Sequence, residues 1–181
     1  ALVPQQDGQA EIGDVAGKGV SAALLMARIT SDLRLAAMMV PDPSQVMGHV
    51  NRIVYERSQP DVFITAIYMT MDVRTHKVML ANAGHLPPLL RRRFGTKLER
   101  IEGGSATAIG IFDDTEFEQV EFELQPGDTL LFTTDGVIEA TNGQGVQFGV
   151  AHLERAVAST FTTRPTEIVA RIEQDIQIHM G

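Results

Sequence analysis

The stretch Val62-Phe63-Ile64-Thr65-Ala66-Ile67-Tyr68-Met69 does most to indicate the fold class. Its residues are β-branched, aromatic or otherwise apolar at nearly every position, which is typical of a strand buried on both faces. Residues 72–76 predict a turn into a second strand over Lys77 to Ala83, and Leu86 to Arg92 predicts a third strand. Consecutive strands joined by short turns form a β-meander, so we expect an antiparallel sheet.

The rest of the chain predicts helices in pairs. Apolar residues recur every three or four positions over residues 22–36, which predicts a first helix, and Ser44 begins a second. Two more helices are predicted over Leu153 to Ala158 and from Pro165 onward. Because the helices do not alternate with the strands, we expect an α+β fold with antiparallel sheets, in one domain over residues 1–181.

A hairpin is predicted in the second half of the chain. Phe117 to Leu124 alternates apolar with acidic or polar residues, as a half-buried strand does. Pro126-Gly127-Asp128 then predicts a turn, and Thr129 to Thr133 predicts the returning strand. We therefore expect these two strands to pair with each other.

The composition describes an acidic chain without cysteine. It has 181 residues, a formal net charge of -8 and 44% apolar residues, which suffices for a core without disulfides. The absence of cysteine excludes a disulfide framework, a thiolate zinc site and a cysteine nucleophile. No apolar run approaches the roughly 20 residues of a membrane span. We therefore expect no membrane partner, no signal peptide and a cytoplasmic location.

The acidic charge also argues against a nucleic-acid partner, because affinity for the phosphate backbone comes from clustered Lys and Arg. One dense basic cluster exists, Arg91-Arg92-Arg93. Three consecutive strand residues alternate between faces and cannot all point one way. We therefore expect a solvated strand end there.

Two aspartates lie beside glycine where a predicted strand ends. They are Asp14, in Ile12-Gly13-Asp14-Val15-Ala16-Gly17, and Asp135, in Phe132-Thr133-Thr134-Asp135-Gly136-Val137. At such positions a rigid sheet can hold several carboxylates near a common point. The adjacent glycines allow backbone carbonyls to approach the same point. Hard cations such as Mg²⁺ and Mn²⁺ prefer that oxygen environment. Ordinary turn or helix-cap chemistry is the alternative for each aspartate, and spacing alone leaves both interpretations open.

A phosphate-binding loop at Gly13 to Gly19 is a further alternative, because glycine-rich turns before helices bind phosphate through backbone N–H groups. A nucleotide-binding P-loop needs four residues between its glycines, followed by Lys and then Ser or Thr. Here three residues separate Gly13 from Gly17, and Gly19 follows Lys18. The pattern therefore disfavours a nucleotide site.

Four ordered blocks of sequence carry a resemblance to a known family. They are residues 13–26 (GDVAGKGVSAALLM), 82–89 (NAGHLPPL), 124–128 (LQPGD) and 134–140 (TDGVIEA). Together they resemble the metal-dependent protein serine/threonine phosphatases of the type 2C family. The resemblance is to the bacterial branch typified by the sporulation phosphatase and the sigma-factor stress regulators.

This resemblance implies an antiparallel β-sandwich flanked by helices in α-β-β-α layers, with a two-metal centre of Mn²⁺ or Mg²⁺. Asp14 looks like the aspartate that bridges the two ions, the Val15 carbonyl looks like a backbone ligand, and Asp135 looks like a ligand of one ion. A pair of such cations activates water for in-line attack on a phosphoserine or phosphothreonine. The implied activity is that of a protein serine/threonine phosphatase.

Two further residues in these blocks are candidates for substrate binding. Lys18 stands where many relatives have His and could attract the substrate phosphate, or it is a tolerated loop substitution. His85 could donate a proton to the leaving alkoxide, since imidazole suits that work. The alternative for His85 is that it hydrogen-bonds with Asn82 to shape the turn before Pro87.

The resemblance also implies partners. Family members are typically switched by an attached sensor or receiver domain, and the expected substrate is a small phosphorylated anti-sigma-factor antagonist. A homodimer is left open as the oligomeric state.

The sequence departs from the family pattern at both ends. Family members carry an acidic Gly-Gly-Asp-type segment before the first block and an Asp-Asp-x-Thr segment on a last strand, and neither is found in 1–181 at the matching place. Asp113-Asp114-Thr115 precedes Asp135, so that role is not transferred to it. We expect that the flanking segments are omitted from this chain. The alternative is a catalytically silent phosphatase-like module that binds a regulator.

Overall fold

The computed structural model of the protein describes the backbone of residues 2–4, 9–15, 20–57, 63–93 and 95–181. Two compact units divide the chain: unit 1 comprises Ala1–His85 and Glu102–Leu124, and unit 2 comprises Leu86–Ile101 and Gln125–Gly181. In chain order, the elements are β1 (Leu2–Pro4), β2 (Gln9–Val15), α1 (Val20–Met39), α2 (Pro43–Arg57), β3 (Ile64–Met71), β4 (Lys77–Ala83), β5 (Leu89–Arg91), β6 (Leu98–Arg100), β7 (Ser105–Ala106), β8 (Val120–Glu123), β9 (Thr129–Leu131), α3 (Asp135–Ile138), α4 (Gly149–Ala158) and α5 (Pro165–Met180).

Strand β3 is the centre of the sheet in unit 1. It pairs antiparallel with β2 on one side and with β4 on the other, so that Ile67 lies opposite both Ile12 and Asn82. The order of the sheet is β1-β2-β3-β4-β7, and β8 also pairs with β4, antiparallel. Residues Ala66 to Met69 are all buried, which confirms the predicted strand with two buried faces.

Helices α1 and α2 pack against one face of this sheet, and both confirm the helices predicted from apolar spacing. Helical residues three or four apart share a face, and so do alternate residues of a strand. The resulting core consists mainly of Ile29, Leu33, Ala36, Val46, Met47, Val50, Val54, Ile64, Ala66, Tyr68, Ala81, Ala83 and Ile109. The spacing of apolar residues in the sequence therefore predicts which faces of α1, α2 and β3 pack together in the core.

Unit 2 repeats this arrangement with a smaller sheet, in the order β6-β5-β9. Helices α4 and α5 supply the other side of its core, as the apolar residues of the last two predicted helices indicated. That core consists of Leu89, Phe148, Leu153, Ala156, Val157, Ile168 and Ile172. Within the described part of the chain, no helix has the length and apolar content that crossing a membrane requires.

Two predicted strand pairings are wrong. The expected third strand of the meander, now β5, pairs with β6 and β9 and not with β4. The chain leaves β4 through Gly84, whose φ of +68° favours glycine, and Pro87 and Pro88 then lack the N–H groups that a continued ladder needs. The predicted hairpin is also wrong, because β8 pairs with β4 whereas β9 pairs with β5.

Arg91 also departs from the sequence prediction. The two arginines that follow it are exposed, as expected, but Arg91 itself is only 3% exposed. Its guanidinium donates hydrogen bonds to the backbone carbonyls of Val157, in the last turn of α4, and of Thr160 and Thr162, which follow that helix. Burial lowers the pKa of Arg91 from its ordinary value, yet a guanidinium stays charged at neutral pH. This side chain therefore anchors the α4–α5 loop to β5.

Replacing Arg91 should destabilise the fold far more than replacing an exposed arginine of the same sheet. Arg91→Met removes the donors of buried carbonyls, so we expect the free energy of unfolding to fall by about 2–3 kcal/mol. Arg100→Met, at an exposed position of β6, should change it by less than about 0.5 kcal/mol. Urea unfolding of both variants measures the difference, and equal effects would contradict an anchoring role for Arg91.

Candidate functional site

The first predicted metal-binding segment lies at the end of β2. The backbone of Asp14 is opposite Thr65 of β3, and that of Val15 is opposite Ile64. The side chains of Asp14 and Val15 lie outside the described residues, as does the whole of Lys18. The strand pairing therefore locates the backbone of Asp14 and Val15. The role predicted for Lys18 stays a prediction.

The second segment follows β9 in unit 2. Asp135 is the first residue of the short helix α3, after Thr134, which has extended backbone angles. The Asp135 side chain is exposed, and its backbone carbonyl accepts a hydrogen bond from the N–H of Glu139 at 2.7 Å. None of the hydrogen bonds found among the described residues uses the Asp135 carboxylate. The Asp135 carboxylate is therefore exposed to solvent.

His85 is fixed by hydrogen bonds on three sides. The Asn82 side chain accepts from the backbone N–H of His85 at 2.8 Å and donates to the His85 carbonyl at 3.0 Å. Nδ1 of the His85 ring forms a hydrogen bond with the Thr65 hydroxyl at 3.0 Å. Asn82 and His85 are both buried. The hydrogen bonds of the turn-shaping alternative are therefore present, and a role of His85 in proton transfer stays a prediction.

The sheet register brings some of the predicted residues near one another. The Thr65 hydroxyl forms a hydrogen bond with the ring of His85, and Thr65 is also the residue opposite Asp14 on the neighbouring strand. Asp135 belongs to unit 2. Sequence reasoning missed Thr65, whose one signal was a hydroxyl in a mainly apolar strand. It could not show that this hydroxyl faces an imidazole twenty residues further along.

The donor set predicted from the motifs agrees in kind with a hard divalent cation. The motifs supply carboxylate oxygens from Asp14 and Asp135 and a backbone oxygen from Val15. Mg²⁺ and Mn²⁺ prefer such ligands, whereas softer metals prefer thiolate or imidazole. Among the side chains that the structure describes, no three His, Asp or Glu residues cluster as a metal site.

The Asp113-Asp114-Thr115 segment lies in an exposed loop of unit 1. The buried Asn51 of α2 holds this loop, because its side chain donates to the Phe112 carbonyl at 2.8 Å and accepts from the Gly110 N–H at 2.8 Å. Asp113 and Asp114 themselves are exposed. The structure thus gives this segment a structural anchor through Asn51, and we assign it no metal.

The turn before β9 is organised by the carboxylate of Asp128. It accepts hydrogen bonds from the backbone N–H groups of Arg93 and Gln125 at 2.9 and 3.0 Å, and from the Arg92 guanidinium at 2.7 Å. Gly127 has φ of +96°, and a Cβ there would lie 2.7 Å from Cδ of Arg93. The third block of the resemblance is therefore a turn that sets the start of β9.

The sequence matches the family model for Stage II sporulation protein E (SpoIIE) over residues 8–181. The chain belongs to the SpoIIE family. This match confirms the family that the four sequence blocks indicated.

Two phosphatases of Bacillus subtilis (strain 168) are similar to this SpoIIE-family chain. Phosphoserine phosphatase RsbU is 28% identical over 174 residues, which covers 93% of this chain and 51% of RsbU. Phosphoserine phosphatase RsbP is 30% identical over 132 residues, which covers 71% of this chain and 32% of RsbP. The chain therefore spans about half or less of the length of these curated relatives.

Solved structures have the same fold. The SiaA-PP2C domain of Pseudomonas aeruginosa has a TM-score of 0.83 at 22% identity, covering 100% of this chain and 73% of that one. The PP2C phosphatase domain of SpoIIE from Bacillus subtilis, solved with a fragment of its regulatory domain, has a TM-score of 0.83 at 20% identity. That match covers 99% of this chain and 53% of the other. These likenesses confirm the predicted α+β, type 2C phosphatase-like fold of the SpoIIE family.

The Thr65 hydroxyl offers a test with a matched control on the same strand. Thr65→Val removes the partner of His85 Nδ1, so we expect the free energy of unfolding to fall by about 1 kcal/mol. The buried Thr70 hydroxyl has no partner among the described residues, so Thr70→Val should be neutral or stabilising. Urea unfolding compares the variants, and equal losses would contradict the Thr65–His85 hydrogen bond.

Asp128 should make the stability depend on pH. Burial alone would raise its pKa, but the hydrogen bonds from Gln125, Arg92 and Arg93 hold that pKa below its ordinary value. The contribution of the Asp128 carboxylate to the free energy of unfolding is therefore complete above the pKa of about 3.9 that Asp has in the unfolded chain. This contribution is lost as the pH falls through the lower pKa of Asp128 in the folded protein. The stability difference between wild type and Asp128→Asn should be constant near neutral pH and shrink below about pH 4. Urea unfolding across this pH range measures it, and a constant difference down to pH 3 would contradict the shift.

Proposed function

We propose that this chain is the phosphatase domain of a bacterial signalling protein and hydrolyses phosphoserine or phosphothreonine on a protein substrate. The observation that carries the proposal is the SpoIIE-family match over residues 8–181, a range that contains both Asp14 and Asp135. Two similar proteins, RsbU and RsbP, are named phosphoserine phosphatases, which supports the same activity here.

Asp14, the Val15 carbonyl and Asp135 are the proposed ligands of Mn²⁺ or Mg²⁺. Each follows or ends a strand, and the exposed Asp135 carboxylate makes no hydrogen bond among the described residues. When bound, a pair of such cations would supply water activation and neutralise charge on the phosphoryl group. No nucleophilic side chain is then required, which agrees with a chain that contains no cysteine.

His85 and Lys18 are proposed to act on the substrate. The hydrogen bonds of Asn82 to the backbone of His85 hold this residue in one place, and Thr65 Oγ1 sets the direction of its ring. Lys18 carries a mobile positive charge that suits a phosphate group. For both residues, the assignment rests on their places in the first two family blocks.

The proposed substrate is a small phosphorylated anti-sigma-factor antagonist, and the proposed switch is an attached sensor or receiver domain. Support comes from the similarity to RsbU and RsbP, which are longer than this chain. The acidic charge of -8 supports a protein substrate over nucleic acid. A cytoplasmic location agrees with that substrate.

Removing the proposed metal ligands should abolish the activity. In the full protein with Mn²⁺, we expect Asp14→Asn and Asp135→Asn each to reduce phosphate release from a phosphoserine protein by roughly 100-fold or more, because metals supply several kcal/mol of charge stabilisation. Asp113→Asn, an exposed aspartate outside the proposed site, is the matched control and should retain activity. The initial rate of phosphate release is the measurement.

Calorimetry with Mn²⁺ separates this proposal from a silent binding module. Heat of binding that disappears in Asp14→Asn but not in Asp113→Asn would support the metal site. Unchanged activity in both Asp14→Asn and Asp135→Asn would overturn the assignment of the ligands. A full protein that neither binds Mn²⁺ at millimolar concentration nor releases phosphate would overturn the enzymatic proposal itself.

A further inference from the structure

A pair of histidines joins the last two helices of unit 2. His152 lies on α4 and His179 on the last turn of α5, and their ring centroids are 5.3 Å apart at an angle of 52° between planes. Both rings also contact Phe148, His152 by stacking at 5.2 Å and His179 edge-on at 5.6 Å. Two imidazoles from separate helices therefore meet over one buried aromatic ring.

When the two imidazole rings are neutral, hydrogen bonds to backbone carbonyls determine which nitrogen of each ring carries the hydrogen. His152 uses Nδ1 toward the carbonyl of Phe148, and His179 uses Nε2 toward the carbonyl of Val146 at 2.9 Å. A carbonyl can only accept, so in the neutral rings the hydrogens are on these two nitrogens. His152 Nε2 and His179 Nδ1 are then lone-pair nitrogens. Histidines that bind metals typically have this arrangement, in which one nitrogen donates to a carbonyl and the other holds the ion.

We propose that His152 and His179 form a second metal site, which takes a borderline transition-metal ion such as Zn²⁺ through His152 Nε2 and His179 Nδ1. Imidazole suits Zn²⁺, whereas Mg²⁺ and Mn²⁺ prefer oxygen ligands. The site is therefore chemically distinct from the proposed aspartate ligands and does not depend on the proposed phosphatase activity. No third His, Asp or Glu joins the pair within the described residues, so water completes the coordination.

The spacing of the rings fits a shared ion. A Zn–N bond of about 2.0–2.1 Å and a ring radius of about 1.2 Å place each ring centroid about 3.2 Å from the metal. Two such rings at a tetrahedral angle have centroids about 5.2 Å apart. The observed separation is 5.3 Å. The separation of the two ring centroids is therefore compatible with one ion shared by both rings.

The surroundings of the pair are rigid on one side and open on the other. Phe148 is 1% exposed and packs in the core with Leu153 and Ile172, which fixes the helices that carry the two histidines. The His152 side chain is exposed and the His179 side chain is half-buried, so an ion and its water ligands have access. A bound ion would therefore link α4 to the end of α5.

Zinc titration of the intact protein tests this proposal. Excess Mg²⁺ is included to occupy oxygen ligands, and we expect one Zn²⁺ to bind per chain with micromolar affinity by calorimetry. His152→Gln and His179→Gln should each weaken that binding at least roughly tenfold, because one of two protein ligands is lost. His76→Asn is the matched control and should leave it unchanged, since Asn tolerates the positive φ of 59° at that turn.

A second measurement needs no variant. In wild-type protein, Zn²⁺ should shift the imidazole nitrogen resonances of His152 and His179 together, and leave those of His76 in place. Asp14→Asn should bind Zn²⁺ as wild type does, which separates this site from the proposed phosphatase centre. Unshifted resonances of His152 and His179, or equal Zn²⁺ binding by wild type and the double glutamine variant, would overturn the proposal.

Discussion

The pairing of β3 with strands on both of its sides is the constraint on which unit 1 depends. Ile67 is opposite Ile12 on one side and Asn82 on the other, and both faces of the strand are buried. A slip of one residue would move every side chain of β3 to the opposite face, so the register is strongly specified. The positions of Asp14 and Asn82 relative to each other follow from this one register.

Buried polar side chains fix the conformation of several loops through hydrogen bonds to backbone groups. Asn51, Asn82 and Arg91 are each almost fully buried, and each bonds mainly to backbone groups of a loop. A buried polar group without a partner is costly, so these side chains favour one loop conformation over others. The turn at Gly84 illustrates how little room is left, because a Cβ there would lie 3.2 Å from the backbone nitrogen of Ala108.

The sequence predicts the elements well and their partners poorly. Helices α1, α2 and α5 follow from apolar spacing, and β3 follows from its apolar run, because both signals are local. The pairing of β8 with β4 joins residues that are 40 to 46 positions apart, so no local pattern predicts it. The burial of Arg91 has the same kind of cause, since the carbonyls that it binds lie 66 to 71 positions further along the chain. For the candidate site, the motifs predict Asp14 and Asp135 as metal ligands, whereas the contact between Thr65 and His85 is visible only in the fold.

The connection between the two units has a consequence for synthesis and folding. The β5–β6 hairpin belongs to unit 2 but is inserted in the chain between β4 and β7, which belong to unit 1. Strand β5 therefore leaves the ribosome well before β9, its other partner. During that interval one side of β5 has no strand to pair with, and the core residues of α4 and α5 have not yet been made. Unit 2 can complete its fold only after Ile172 has emerged, and no single cut of the chain separates the two units.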